Sequence, residues 1–453
     1  MSLIDRALAC ATRAPHQFTV QYPPSRDYFR AHFRAPVDRT AFAAARLLYV
    51  HVPFCAARCA YCNFAIDVRD DAARRARYVD GVLAALEDVP SYVGADGIDV
   101  GGGTPTLLAP DELRRLFGAL SRRSTQISTE TTPAIAASRP DVLAALRESG
   151  VTRLSIGVQS TDAALLGALG REASSLDRSL THARSVGFSR VSTDLVFGLP
   201  GQSLDDFSRD LDAVISRAPD AITTYDCLYR GKGRRLDGAP PPPEVLGAFY
   251  DRAHARLVAA GYRAPYGSLN FSRHPGETGT SAYFERRVRD GDAYLGVGDY
   301  ASSHSGDAWA FSTRGVEAWL ADPAGHADGY SLEREETMAK HLLLTLGFGR
   351  IDHARFERRF DEPLSTRHGE ALARACREGW LSEDPDGYAV RDFAALPWIR
   401  ALFHPERAIA WLERRASRML TSWNTRTSRA SAPASVPSAS ATSLASGRSS
   451  ART

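Results

Sequence analysis

Cys55, Cys59 and Cys62 fall within the eight-residue run Cys55-Ala56-Ala57-Arg58-Cys59-Ala60-Tyr61-Cys62, directly after the apolar stretch Leu47 to Phe54. No other feature constrains the chain as much. Three thiolates on one short loop can bind three corners of a cubane [4Fe–4S] cluster. The fourth iron then has no protein ligand, and an open iron can bind and activate a substrate. A zinc site and three buried thiols are the other readings of the same residues. Structural zinc sites usually want four nitrogen or sulfur ligands in two paired clusters, and the sequence holds no second Cys/His pair.

Composition bounds the rest. A length of 453 residues suggests about three domains. An apolar fraction of 44% with 24% charged residues is ordinary for a soluble globular protein. A net charge of +3 is too small to imply nucleic acid or a membrane surface as a partner. The basic residues are almost all Arg, with Lys232 and Lys340 the two lysines, which points to a GC-rich bacterial genome rather than a binding surface. Six cysteines in so long a chain are not a disulfide framework, and Cys10, Cys227 and Cys376 read as ordinary buried thiols. No run of 18 or more apolar residues and no basic-then-apolar leader is present, so a cytoplasmic protein is expected, where an oxygen-labile cluster would survive.

From residue 46 to about 265 the chain alternates strand and helix. Candidate strands are 47–52, 97–101, 126–131, 153–158, 190–197 and 221–228. Each is short, mostly β-branched and bounded by Gly, Pro or polar turns. Helical patterns fall at 70–89, 110–121, 139–149, 161–186 (broken), 203–217 and 243–261, the third opening on Ser138-Arg139-Pro140-Asp141. Six strand–helix units in a row argue an α/β protein with a parallel sheet. Curled into a partial barrel, such a sheet carries its site at the C-terminal ends of the strands, which is where the cysteine loop falls. Residues 1–45 read as an N-terminal arm of weak structure with an aromatic segment at Gln21-Tyr22-Pro23-Pro24. The core spans 46–300. Residues 301–424, which hold all six tryptophans, read as a small, mainly helical C-terminal domain with one hairpin around Asp384-Pro385-Asp386-Gly387. The Ser/Ala/Arg-rich tail 425–453 is expected to be disordered.

Polar residues recur where the strands end. Asp99-Val100-Gly101-Gly102-Gly103-Thr104-Pro105 closes the second strand, and its glycines let backbone approach a ligand and expose N–H groups. Glu130 closes the third strand, Gln159 the fourth, and Asp194 sits in the fifth; Arg171 lies in Leu169-Gly170-Arg171. Singly each reads as a solvated or capping residue. Together, in register with six strands, they converge on one cavity.

In order, YVHVPFC, GGGTP, SIGVQS, LGR and TDLVFGLPGQ resemble the radical S-adenosylmethionine (SAM) superfamily. Within it they resemble the oxygen-independent coproporphyrinogen III oxidase (HemN/HemW-like) family, over roughly residues 20–390. The resemblance implies an incomplete (β/α)6 TIM-type barrel and a HemN-like C-terminal domain. It implies that Cys55, Cys59 and Cys62 hold the cluster, that the open iron cleaves SAM reductively to a 5′-deoxyadenosyl radical, and that Tyr49 shares in the catalytic set. Tyr49, Gly102, Gly103, Thr104, Glu130, Gln159, Arg171 and Asp194 would line the SAM site. It further implies a small-molecule substrate, an electron donor such as flavodoxin or ferredoxin, and a monomer.

Departures from the family pattern point to a branch. The decarboxylating oxidases carry a further cysteine two residues past the third, where this chain has Phe64. The haem-chaperone branch carries a His-Asn pair four residues before a Tyr-Trp pair; here the segment reads Gly279-Thr280-Ser281-Ala282-Tyr283-Phe284, and the His two residues after the LGR arginine is replaced by Ala173. This resembles the class C methyltransferases and cyclopropanases of natural-product pathways, which bind two SAM molecules together and transfer a one-carbon unit to an sp2 carbon. Methyl or methylene transfer is therefore the expected reaction, ahead of coproporphyrinogen oxidation and of non-catalytic haem carriage.

Overall fold

The computed structural model describes residues 1–18, 26–69, 71–173, 175–229, 236 and 238–415. Eleven strands form one sheet: β1 Leu47–Val52, β2 Gly97–Gly102, β3 Ile127–Thr131, β4 Arg153–Gln159, β5 Arg190–Phe197, β6 Ala221–Asp226, β7 Asn270–Ser272, β8 Tyr294–Gly298, β9 Ser302–Ser305, β10 Ala308–Ser312 and β11 His326–Ser331. Their spatial order is β11-β10-β9-β8-β1-β2-β3-β4-β5-β6-β7, with β1 to β6 parallel and in chain order. β7 closes one end antiparallel to β6, and β8 runs parallel to β1 on the other side. The sheet is thus the expected partial barrel, with helices between its parallel strands.

Side chains alternate across each strand. Leu48, Val50, Val52, Ile98, Val100, Leu154 and Ile156 turn to the helices and join the main core with Val79, Val82, Leu113 and Leu116. The intervening positions Tyr49, His51, Asp99, Gly101, Glu130, Ser155 and Asp194 face the other side and are mostly polar. A buried sheet face is normally apolar, so this polar inner face marks the site. The helix Pro110–Ser121 begins on a Pro in its first turn and carries Asp111 and Glu112 there, a favourable pairing with the helix dipole. Helices Ala72–Glu87, Pro140–Glu148, Leu204–Ile215 and Pro243–Ala259 lie within a few residues of their expected bounds, and the broken pattern resolves into Ala163–Ala168 and Leu176–Val186.

Two regions depart from the sequence reading. The first residues are not weakly structured: Leu3–Arg13 is a helix capped by Ser2, and its Ala7, Cys10 and Ala11 pack on Ala401, Ile409 and Leu412. Arg6 ties the same helix to Glu406 at 2.7 Å and Glu413 at 2.9 Å. Its short amphipathic stripe finds a partner nearly 400 positions away, which no local pattern discloses. Beyond residue 300 the chain first adds β9 and β10 and, after the short helix Val316–Ala321, β11, each antiparallel to its neighbour, before the longer helices. These Ser- and Gly-bearing segments lack strand-like apolar alternation; Trp309 and Tyr330 are instead covered by Phe29, at 5.4 and 5.8 Å between ring centroids. The expected hairpin is β13 Leu381–Asp384 with β14 Gly387–Val390, joined by β12 Arg350–Asp352 in a second sheet. The segment 21–24 and the tail 425–453 lie outside the described residues.

Candidate active site

The cysteine loop leaves β1 at Pro53 and is pinned at both ends. The Asp67 N–H donates to Pro53 O at 2.8 Å and the Cys55 N–H to Asp67 O at 3.0 Å. Burial works against the charged form of Asp67, but hydrogen bonds from Arg69 and Arg74 outweigh it and hold the carboxyl well below the usual range. Within the loop, Cys62 N–H donates to Cys59 O at 3.1 Å, and the Ala60 N–H to Leu169 O at 3.0 Å. His51 Nε2 meets Ala65 O at 2.8 Å. The three thiols are half-buried and free of disulfides. Burial pushes Cys55 up to about 11 and raises Cys62 as well.

The donor set is a test of what could bind. No group of three His, Cys, Asp or Glu side chains among the described residues is gathered to hold a single metal ion. Three sulfurs on one short loop suit a cluster, which spreads its ligands over separate irons. Thr104 Oγ1 lies 3.5 Å from Cys55 Sγ, and Arg171 Nη1 lies 3.9 Å from Cys59 Sγ.

The glycine turn packs directly under this loop. Gly102 has φ +111°, and a Cβ there would sit 2.3 Å from the His51 ring; a Cβ on Gly103 would meet Phe54 O at 2.5 Å. Both positions therefore require glycine. The turn does not expose free N–H groups as the sequence suggests. Gly102 N–H donates to Glu130 Oε1 at 2.8 Å, Gly103 N–H to Val52 O at 2.8 Å and Thr104 N–H to Phe54 O at 2.7 Å. Packing against β1 and β3 consumes the donors.

The remaining residues come from successive strands. Asp194 Oδ2 accepts from Ser155 Oγ at 2.9 Å. Burial raises Asp194 to about 6, with Ser155 and Arg153 opposing. Burial also raises Glu130 to about 7, with Asp194 and Asp99 adding to the shift and the Gly102 N–H opposing it. Arg171 donates to Tyr61 Oη at 3.0 Å and to Gly157 O at 2.8 Å. Gln159 closes β4 at φ +69°, where the β4–β5 register shifts, and its Oε1 accepts from Tyr225 Oη at 2.7 Å. A non-glycine residue held in the left-handed region is strain that the surroundings must enforce. Tyr49 Oη lies 3.2 Å from His51 Nδ1, and its ring stacks on Tyr283 at 6.0 Å. The strand-end residues and the cysteine loop thus share one end of the barrel.

Several polar groups of this face escape sequence reading. Asp99 is pushed up to about 6 by burial and takes a 2.8 Å hydrogen bond from Ser281. Arg153, half-buried, faces Asp194 and Asp99 and donates to Gly279 O. Tyr61 and Tyr225 support Arg171 and Gln159. For Asp99, Arg153 and Tyr225 the one signal is period-two register with Gly101, Ser155 and Asp194; Tyr61, in the loop, has none. An apolar cavity of about 190 Å³ lies beyond β6, bounded by Pro240, Pro241, Phe393 and the buried Arg400, and shares no residue with this set.

The radical SAM superfamily model matches residues 49–214, from β1 to the helix Leu204–Ile215. The heme chaperone HemW of Mycobacterium tuberculosis is 31% identical over 277 residues, covering 57% of this chain and 69% of the chaperone. This chain belongs to the radical SAM superfamily, in its HemN/HemW-like family. The oxygen-independent coproporphyrinogen III oxidase of Escherichia coli is 27% identical over 378 residues, 76% of this chain and 81% of the oxidase. The solved structure of the E. coli coproporphyrinogen III oxidase superposes with a TM-score of 0.68 at 23% identity, over 82% of this chain and 95% of that one, and shows the same fold. As a radical SAM enzyme this HemN/HemW-like protein uses a [4Fe–4S] cluster and SAM. No helix among its described residues is long and apolar enough to cross a membrane.

Proposed function

We propose that this protein cleaves SAM and works on a small carboxylate-bearing molecule in the manner of the coproporphyrinogen III oxidases, with coproporphyrinogen III the first substrate to test. The observation that carries this reading is the ring of Glu130, Gln159, Arg171 and Asp194 around the cysteine loop, on a chain that aligns with 81% of the E. coli oxidase. The sequence alone favours methyl transfer; the named relatives favour the two other readings instead, the oxidase oxidation and the chaperone haem carriage.

In this reading Cys55, Cys59 and Cys62 hold the cluster, and when bound, cluster and SAM together supply a 5′-deoxyadenosyl radical. The other residues bind and orient. With its N–H groups taken, the Gly102–Thr104 turn offers carbonyl oxygens, which suit an ammonium group rather than a carboxylate. Arg171, steadied by Tyr61 and Gly157, offers a guanidinium to a carboxylate. Glu130 and Asp194 accept from hydroxyl groups. His51, fixed by Ala65 O, holds the Tyr49 hydroxyl.

Methyl transfer of the class C kind is the second reading. Phe64 favours it, because it stands 60% exposed where the oxidases carry a cysteine. Haem carriage finds less support. Gly279 has φ +83°, and a Cβ there would meet Phe271 O at 2.8 Å, so the position expected of the haem-ligand His has no room for one.

Anaerobic assay with dithionite and SAM tests the reading. 5′-Deoxyadenosine should form in every case. Carbon dioxide from coproporphyrinogen III decides for oxidation. S-adenosylhomocysteine decides for methyl transfer. Stoichiometric haem binding with no SAM cleavage overturns both.

A further inference from the structure

A second cluster of charge lies outside the ring of SAM residues. One turn of π-helix at Arg286–Asp290, the strands β8 and β9, and the helices Arg334–Thr345 and His353–Phe360 enclose a narrow cleft with about 20 Å³ of free space. Arg287, Lys340 and Arg359 line it, together with His304, His341 and Tyr294. π-Turns are uncommon and often re-aim a side chain at a functional site; this one presents Arg287.

None of the three cations forms an ion pair among the described residues. Arg287 lies over the rings of Tyr294 at 4.9 Å and Tyr283 at 5.9 Å. Lys340 Nζ is buried without a hydrogen-bond partner and faces the Trp309 ring at 4.1 Å. Arg359 donates to Gly291 O, but its Nε has no partner, and neither His304 Nε2 nor His341 Nδ1 has one. The carboxylates nearby are engaged elsewhere: Glu285 pairs with Arg289 at 2.6 Å, Asp292 with Arg286 at 2.7 Å, and Asp290 with Arg355, while Asp99, which Arg287 feels, takes a hydrogen bond from Ser281 at 2.8 Å. Asp292 is the acidic group that Arg359 feels, and its carboxylate is already shared.

Several buried polar groups from four elements, with no carboxylate paired to any of them, are an expensive arrangement unless an anion completes it. Burial, with Arg287 and Arg359 adding to it, holds Lys340 well below its ordinary value. Burial, then Lys340 and the arginines, does the same to His304. Each of these groups is thus ready to regain charge when a negative partner arrives. Free space of about 20 Å³ holds about one water-sized atom, room for a single oxygen of an anion. Guanidinium geometry decides which anion: its planar fork matches a carboxylate.

We propose that the cleft between Arg287, Lys340 and Arg359 is a carboxylate-binding site. Arg287 reaches it from the wall of the barrel, through Tyr283, which stacks on Tyr49. The carboxylate therefore comes either from a free small acid or from the molecule bound in the barrel.

The test uses the cluster-loaded full chain under anaerobic conditions, with melting temperature and [13C]acetate NMR line width as readouts. At constant ionic strength, acetate should raise the melting temperature in a saturable manner, while phosphate and chloride should not. Lys340→Met keeps the stem and removes the charge; it and Arg287→Met should each weaken acetate binding at least tenfold. Adding coproporphyrinogen III to acetate-loaded protein separates the sources. Release of acetate assigns the site to a substrate carboxylate, and retention assigns it to a free acid. Absence of a saturable acetate response in the wild type overturns the proposal. So does an equal response in wild type and both variants, each confirmed as folded by circular dichroism.

Discussion

The Gly102 N–H donates to Glu130 Oε1 at 2.8 Å, which makes the glycine turn after β2 and the carboxylate of β3 a single unit. The same carboxylate is pushed up to about 7, by burial first and by Asp194 and Asp99 next. Site construction and pH response are therefore coupled.

Glu130→Gln should reveal that coupling. The folded state holds the Glu130 proton up to a pH of about 7, whereas the unfolded chain releases it near 4.5. Across that window the native state binds more protons, so its contribution to stability is present below 4.5 and is lost as pH rises through 7. Denaturant titration of SAM-free protein at pH 5 and pH 8 should show wild type losing about 1–3 kcal/mol relative to the variant. SAM affinity of the variant should fall at the same time. Parallel stability curves for the two proteins would separate Glu130 from the effect.

Asp194→Ala removes an acceptor that Ser155 orients at 2.9 Å. A charge-assisted hydrogen bond contributes about 1.5–3 kcal/mol, so SAM should bind roughly ten- to a hundredfold more weakly by titration calorimetry. Iron content should not change, because Asp194 supplies no sulfur to the cluster. Unaltered SAM affinity removes Asp194 from the site.

Replacing Cys55, Cys59 and Cys62 together by Ala should abolish the cluster. Anaerobically reconstituted wild type should carry about four irons and about four sulfides per chain; the triple variant should carry almost none. Cys10 is buried against Ala401 and Leu412, whereas Cys227 is buried in the cluster on which Ala60 and Tyr61 of the loop pack, so a Cys227→Ala control accompanies the triple variant. Retention of iron in the variant would overturn the ligand assignment.

Gly279→His asks whether the haem-ligand position of the chaperones can be restored. At φ +83° and with Phe271 O 2.8 Å from the new Cβ, the change should destabilise the fold by about 1–3 kcal/mol. Haem titration of the variant should show no gain in affinity. A folded variant of unchanged melting temperature that binds haem tightly would revive the chaperone reading.

What the sequence by itself determined was local. The cysteine spacing, the six parallel strands and the helices between them are written in runs of a few residues, since backbone periodicity and turn chemistry act over that range. Glu130, Gln159 and Asp194 were legible as strand-end polar residues, and Gly102 and Gly103 as a turn. Only the tertiary structure decided that the turn's N–H groups are already used and that Asp99 and Arg153 share the inner face. The same holds for the Leu3–Arg13 helix, which docks on Ala401 and Leu412. It also brought Arg287, Lys340 and Arg359 to one cleft from segments up to 72 positions apart. Such groups carry no common period along the chain. Their proximity comes from sheet pairing and core packing, and these bring together residues that sequence order keeps apart.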